Sequence, residues 1–127
     1  MGGYGMQVWL FIAAINGFLA VAFGAFGAHG LEGHLSSKDL TIFETAVRYQ
    51  MYHALALGLC AIASRGAARE QVTAAGVLFT VGIVLFSGSL YLYSVCHWRP
   101  LVYLTPFGGL AFLVGWIMLA WAAYTLR

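Results

Sequence analysis

The sequence predicts an all-α integral membrane protein, a bundle of four transmembrane helices formed by one domain over residues 1–127. Hydrophobic residues make up 62% of the chain and charged residues 8%, against about 25% charged residues in an ordinary soluble domain. No charged residue lies between 1 and 31, between 71 and 98, or between 100 and 126. Each of these stretches exceeds the roughly 20 apolar residues that cross a bilayer as a helix.

The first helix is predicted over about residues 7–28, where Asn16 is the one strongly polar side chain after Gln7 at its start. The apolar run is longer than the core of a usual signal peptide, and no Lys or Arg precedes it. We therefore expect a retained helix, with cleavage near Ala28 as the alternative. A polar turn with two glycines follows.

The second helix is predicted over about residues 38–64. Ser36 and Asp39 have the spacing of a capping box, in which a hydroxyl caps the helix start. Apolar residues then recur at helical spacing among charged ones, which indicates a short interfacial amphipathic helix leading into the second span. Only sixteen uncharged residues separate Arg48 from Arg65. They would extend about 24 Å, less than a hydrocarbon core of roughly 30 Å.

The second span must therefore include Arg48, and with it Glu44, or thin the bilayer locally. Glu44 and Arg48 are four residues apart. Opposite charges at this spacing lie on one helix face and can neutralise each other. We expect the two side chains to form an ion pair at the membrane edge.

The third and fourth helices are predicted over about residues 72–94 and 105–125. Thr105 and Pro106 suit a helix start, because threonine caps and proline needs no N–H partner there. Four spans place both termini on one side of the membrane. Arg65, Arg69 and Arg127 would lie on that side, so the positive-inside rule favours cytoplasmic termini and an inner-membrane location.

Small residues recur at spacings of three, four or seven along every predicted helix. In lipid, such residues let helix backbones approach closely, and spacings of three and four favour left-handed crossings near 20°. We therefore expect a tight bundle rather than an open channel. The small residues are Ala13, Gly17, Ala20, Gly24, Gly27; Ala54, Gly58, Ala61; Thr73, Thr80, Ser87, Ser94; and Gly108, Ala111, Gly115, Ala122.

Polar groups inside a membrane helix are costly and are the natural site candidates. Asn16 can join helices or contact a ligand, and Glu44 with Arg48 can be a structural pair or recognise a headgroup. His53, one turn after Tyr49, can be a buried neutral histidine, or can relay protons or bind a ligand. The candidate ligand-binding residues are Asn16, Glu44, Arg48, Tyr49, His53 and Ser87.

Several chemistries lack their sequence patterns. His29, Glu32 and His34 match no zinc-ligand spacing, so we predict no metal and no cofactor. The chain has no P-loop, H-E-x-x-H motif or serine elbow, and we expect no enzyme activity. Nucleic-acid binding is not expected either, because the chain has no basic cluster.

Four segments together resemble a known family. They are GAFGAHGL (24–31), FETAVRYQMYHALAL (43–57), LFSGSLY (85–91) and TPFGGLAFLVGW (105–116). They resemble the small YgdD-type membrane proteins of bacterial inner membranes, which have relatives in mitochondria. The resemblance implies four membrane helices and no established molecular activity. His34, Cys96, His97 and Arg99 lie outside the four segments, so the resemblance gives them no functional weight.

Two classes of function fit these observations best. The first is a non-enzymatic membrane module in contact with lipids, either a homo-oligomer or an accessory subunit of a membrane complex. The alternative is a binder or transporter of a small lipophilic or lipid-like molecule that uses a face formed by Glu44, Arg48 and His53. Small multidrug transporters have a similar length but depend on an acidic residue in their first helix, where this chain has Asn16.

Overall fold

The computed structural model describes residues 2–125, which form helices joined by short turns. Arg127, which entered the orientation argument above, lies outside the described residues. The α-helices are α1 (Gly2–Phe26), α2 (Ser37–Ala63), α3 (Arg69–Gly82), α4 (Gly88–Cys96) and α5 (Thr105–Thr125).

Two π-helical turns and one 3₁₀ turn complete these helices. The turn Gly27–Leu31 extends α1, and the turn Ile83–Ser87 joins α3 and α4 into one continuous rod. A 3₁₀ turn, Arg99–Tyr103, precedes α5. The described chain therefore has four helical rods, and the first and third are longer at their ends than the sequence predicts.

Three of the four described rods are long and apolar enough to cross a membrane, namely Gly5–Leu31, Arg69–Cys96 and Arg99–Thr125. The remaining rod, α2, has 27 residues, or about 40 Å at 1.5 Å per residue. Length therefore does not distinguish it from the others, but polar residues such as Gln50 and His53 make it less apolar.

The start of α2 agrees with only half of the predicted capping box. The Ser36 hydroxyl accepts a hydrogen bond from the backbone N–H of Asp39 at 3.1 Å. The Asp39 carboxylate does not return the bond and instead contacts His97. The amphipathic stretch predicted ahead of the second span is the unbroken beginning of α2 and not a separate helix.

The helix α2 lies at the centre of the bundle. It packs along α1 on one side and against α3 and α4 on another, while α3 packs along α5. The core between them contains fully buried Leu57, Cys60, Val72 and Phe79. Trp9 of α1 extends across to α3, where its ring would lie 2.6 Å from a Cβ added at Gly76.

The predicted small-residue seams differ in their outcome. All four residues predicted in α5 are buried. In the third rod Ser87 and Ser94 are buried, but Thr73 is exposed. The prediction for Thr73 is wrong because a strict seven-residue spacing drifts by about 20° per heptad around a straight α-helix.

The helix α5 approaches the π turn Ile83–Ser87 most closely at Gly108. A Cβ added at Gly108 would overlap the backbone nitrogen of Phe86, which lies in the turn Ile83–Ser87. Backbone atoms cannot rotate away as the end of a side chain can. The approach of α5 to the third rod therefore requires glycine at this position.

Substitution of Gly108 by alanine should destabilise the bundle by roughly 1–3 kcal/mol, the usual cost of overpacking a core. The neighbouring Gly109→Ala change is the control, because its Cβ would lie 3.8 Å from the nearest Phe86 ring carbon. Unfolding of both variants in detergent micelles measures the difference. Equal stability of the two variants would show that the close approach of Gly108 to Phe86 does not determine the stability of the bundle.

Candidate functional site

A chain of hydrogen bonds connects three helices in the middle of the bundle. The Gln50 Nε2 atom in α2 donates to Asn16 Oδ1 in α1 at 3.1 Å. The Tyr91 hydroxyl in α4 donates to Gln50 Oε1 at 2.7 Å. Gln50 is 4% exposed, so both ends of its amide are bonded away from lipid. Such bonds hold membrane helices together and determine their relative positions.

Asn16 belongs to this network as a connection between helices. Its Nδ2 atom donates to the carbonyl oxygen of Ile12 at 2.9 Å, while its Oδ1 atom accepts from Gln50. The sequence leaves two roles open for Asn16, joining helices or contacting a ligand. Its geometry in the structure is that of an interhelical hydrogen bond.

Sequence reasoning missed Gln50 and Tyr91. Gln50 could have been noticed in the sequence, because it is an amide within the short uncharged stretch of α2. Tyr91 gave no such signal, since tyrosine is common at membrane boundaries. Its ring packs between Phe23 and Phe43, with centroid distances of 4.9 and 5.0 Å, and its hydroxyl points inward.

His53 is buried and has a partner at each ring nitrogen. Its Nδ1 atom lies 2.8 Å from the Tyr49 carbonyl oxygen, and the Trp116 Nε1–H donates to its Nε2 atom at 3.1 Å. Because an indole N–H only donates, Nε2 must accept and Nδ1 must carry the proton. The ring also stacks on Phe112 with centroids 3.5 Å apart. His53 thus joins α2 to α5 as a neutral imidazole.

Ser87 joins the third rod to α2. Its hydroxyl, at the end of the π turn, donates to the carbonyl oxygen of Ala46 at 2.8 Å, and the side chain is fully buried. A π turn changes the direction of the following side chains relative to a regular α-helix. Here the π turn ends at Ser87, and the Ser87 hydroxyl points at the backbone of α2.

Glu44 and Arg48 are both exposed and do not form the predicted ion pair. The Arg48 guanidinium donates instead to the Thr45 hydroxyl at 3.2 Å. The prediction is wrong because an exposed pair at this spacing gains little free energy, and a nearby hydroxyl competes for the guanidinium.

The predicted face formed by Glu44, Arg48 and His53 is also absent. Glu44 and His53 are nine residues apart, about two and a half helical turns, so they lie on opposite sides of α2. The Tyr49 side chain is 37% exposed and packs against Phe86. Of the six predicted residues, the structure thus brings Asn16, His53 and Ser87 into helix contacts and leaves the charged pair outside.

A contact between a histidine and a carboxylate, which the sequence did not indicate, joins the start of α2 to the end of α4. His97 Nε2 lies 2.6 Å from Asp39 Oδ2. His97 ends α4 with a positive φ of 58°, a backbone conformation that few non-glycine residues adopt. Within residues 2–125 it is the one contact of salt-bridge length between a basic and an acidic side chain, and its partners are 58 positions apart in the chain.

Metal-ligating residues do not gather anywhere in residues 2–125. No group of three or more His, Cys, Asp or Glu side chains in that range could hold an ion. His29, Glu32 and His34 accordingly do not assemble into a ligand set.

Three apolar rods around a hydrogen-bonded polar helix define a small helical membrane protein. Residues 23–109 match the family described as "Protein of unknown function (DUF423)", and the chain belongs to that family. No solved structure matches the chain.

Relatives named UPF0382 membrane proteins match the chain over nearly their whole length. The chain is 50% identical to the UPF0382 membrane protein YwdK of Bacillus subtilis over 119 residues, covering 93% of this chain and 97% of the relative. It is 47% identical to a UPF0382 membrane protein of Staphylococcus epidermidis, covering 90% and 93%. A UPF0382 membrane protein of Haemophilus influenzae is 40% identical, covering 91% and 93%. An uncharacterised membrane-protein family is thereby confirmed, and the YgdD-type resemblance stays a prediction.

Removal of the Tyr91 hydroxyl should weaken the network. We expect Tyr91→Phe to lower the free energy of unfolding by about 0.6 kcal/mol and at most about 1.7 kcal/mol, the range for hydrogen bonds between membrane helices. Gln50→Leu should cost more, about 1–3 kcal/mol, because it leaves the polar atoms of two partners unpaired.

Denaturant unfolding in micelles measures both effects. Tyr52→Phe is the matched control, because Tyr52 is on the same helix as Gln50 and is 51% exposed. If Tyr91→Phe proved no more destabilising than Tyr52→Phe, the hydrogen bond would contribute nothing to stability.

Proposed function

We propose that the protein is a non-enzymatic module of the inner membrane, with four spans, which acts as a homo-oligomer or as an accessory subunit of a membrane complex. The observation that supports the proposal is that the interior polar groups are already hydrogen-bonded within the protein. Within the described residues, every buried side-chain nitrogen or oxygen atom has a hydrogen-bond partner. Asn16, Gln50 and His53 each bond across to another helix, whereas a catalytic group needs an atom free to contact a substrate.

The depth of α2 supports a fourth span. Gln50 bonds to the middle of α1, and His53 bonds to Trp116 in the middle of α5. These contacts put α2 at the same level as two apolar rods. At this level the polar side chains Gln50 and His53 are buried, whereas the outward side chains Leu55, Leu59 and Ile62 are apolar, as a helix facing lipid requires.

The placement of the charges supports the orientation with cytoplasmic termini. Arg65 and Arg69 flank the turn between α2 and α3, on the side of the N-terminus if α2 spans. Arg48 and Glu44 then lie towards the opposite boundary, where a long side chain can extend to the headgroups. The relatives are named membrane proteins, and for this chain we propose the inner membrane.

A binder or transporter that uses Glu44, Arg48 and His53 together is not proposed. Those side chains lie on opposite sides of α2, and His53 already has two partners.

Cysteine labelling tests the fourth span. The native Cys96 is exposed, whereas Cys60 is buried. In intact cells a membrane-impermeant maleimide should label Cys96 and His34→Cys from outside, and should not label Ala67→Cys in a Cys96→Ser background. If α2 does not span, Ala67→Cys and Cys96 exchange their accessibility. His34→Cys stays on the same side in both arrangements and reports the orientation.

Native mass spectrometry of protein extracted gently from its own membranes tests the molecular role. We expect a bare homo-oligomer or a complex with one defined second protein. His53→Ala, which removes the bond to Trp116, should leave that composition unchanged in the fraction that folds. A reproducible small-molecule mass that disappears in His53→Ala but persists in Tyr52→Phe would contradict the proposal and indicate an interior ligand site.

A further inference from the structure

A groove runs along the outside of the bundle where the first turns of α2, the helix α4 and the start of α5 meet. Its volume is about 440 Å³, within the roughly 300–1,000 Å³ of ordinary ligand sites. The lining is mostly apolar and includes Ile42, Leu90, Tyr93, Val102 and Gly109. We call it the lateral groove.

Two cations lie at the end of the lateral groove that is nearer the polar turns. Lys38 is one helical turn before Ile42 on the same face of α2. Arg99 precedes Val102 by three residues in the 3₁₀ turn. Side chains at this spacing eclipse each other in such a turn, so both lie on one face. Both cations are exposed, and within residues 2–125 neither has an acidic partner.

The one carboxylate in the first turn of α2, that of Asp39, does not outweigh the two cations. Asp39 is hydrogen-bonded to His97 at 2.6 Å, and the His97 ring in turn contacts that of Tyr93. Glu44 is two residues beyond Ile42, so it projects from the far side of α2. The mouth of the lateral groove is therefore positive, and its length is apolar.

We propose that the lateral groove binds an anionic phospholipid, with one acyl chain along Leu90 and Val102 and the phosphate between Lys38 and Arg99. Cations close to a membrane surface attract anionic headgroups, and the apolar lining accommodates a chain. The proposal goes beyond the structural role above, because a module of either kind functions in principle without a specific lipid.

The first test compares two lipids with identical acyl chains. Delipidated protein in detergent is titrated with phosphatidylglycerol or phosphatidylcholine, and native mass spectrometry counts the bound lipids. Phosphatidylglycerol should bind more tightly, and Lys38→Gln or Arg99→Gln should each weaken it on the order of fivefold. Arg48→Gln is the matched control, since it removes the same charge from another face of α2 and should leave binding unchanged.

A second variant tests the acyl site. Gly109→Leu places a side chain in the lateral groove, and the Cβ itself meets Phe86 only at an ordinary contact distance of 3.8 Å. The variant should fold like Gly109→Ala but bind neither lipid at the groove. Equal binding of the two lipids by the native chain, no bound lipid at all, an Arg48→Gln loss equal to that of Arg99→Gln, or full binding by Gly109→Leu would each overturn the proposal.

Discussion

Gln50 is a polar side chain in a helix that packs among apolar rods, and lipid offers it no hydrogen-bond partner. Its amide must therefore bond to other helices, and it does so to Asn16 on one side and Tyr91 on the other. That requirement fixes which faces of α1 and α4 approach α2. His53 joins the same helix to α5, and Ser87 of the third rod donates to the carbonyl oxygen of Ala46 in α2. The most polar helix is central because only the centre can satisfy it.

Close packing of the outer rods complements these bonds. Where α5 meets the π turn, Gly108 removes the Cβ that would overlap the Phe86 backbone, and Gly115 similarly accommodates Phe79. In lipid, contacts of this kind supply much of the attraction between helices, since moving apolar side chains from lipid into the protein gains little. The polar network thus determines the arrangement, and the glycine contacts let the rods close around it.

The candidate site was only partly predictable, for a reason that Glu44 and His53 illustrate. Both residues are unusual for a membrane helix, so composition singles them out. Their chemistry depends on which side of α2 each one occupies, and helical spacing already separates them by about half a turn. The partner of His53 in α5 could not be predicted, because Trp116 is 63 residues away in the chain. Nothing local in the sequence relates the two side chains.

The sequence by itself determined that the chain is helical and resides in a membrane, because long uncharged runs can be accommodated in no other way. It also determined where α2 begins, since the Ser36 cap acts within one turn. The helix α5 begins at Thr105 as expected, but the Thr105 hydroxyl contacts Ser89 and the Leu101 carbonyl oxygen and not the helix start. Only the tertiary structure decided that Asn16 bonds to Gln50 and that Asp39 contacts His97. These residues are distant in the chain, and the packing of the rods brings them together.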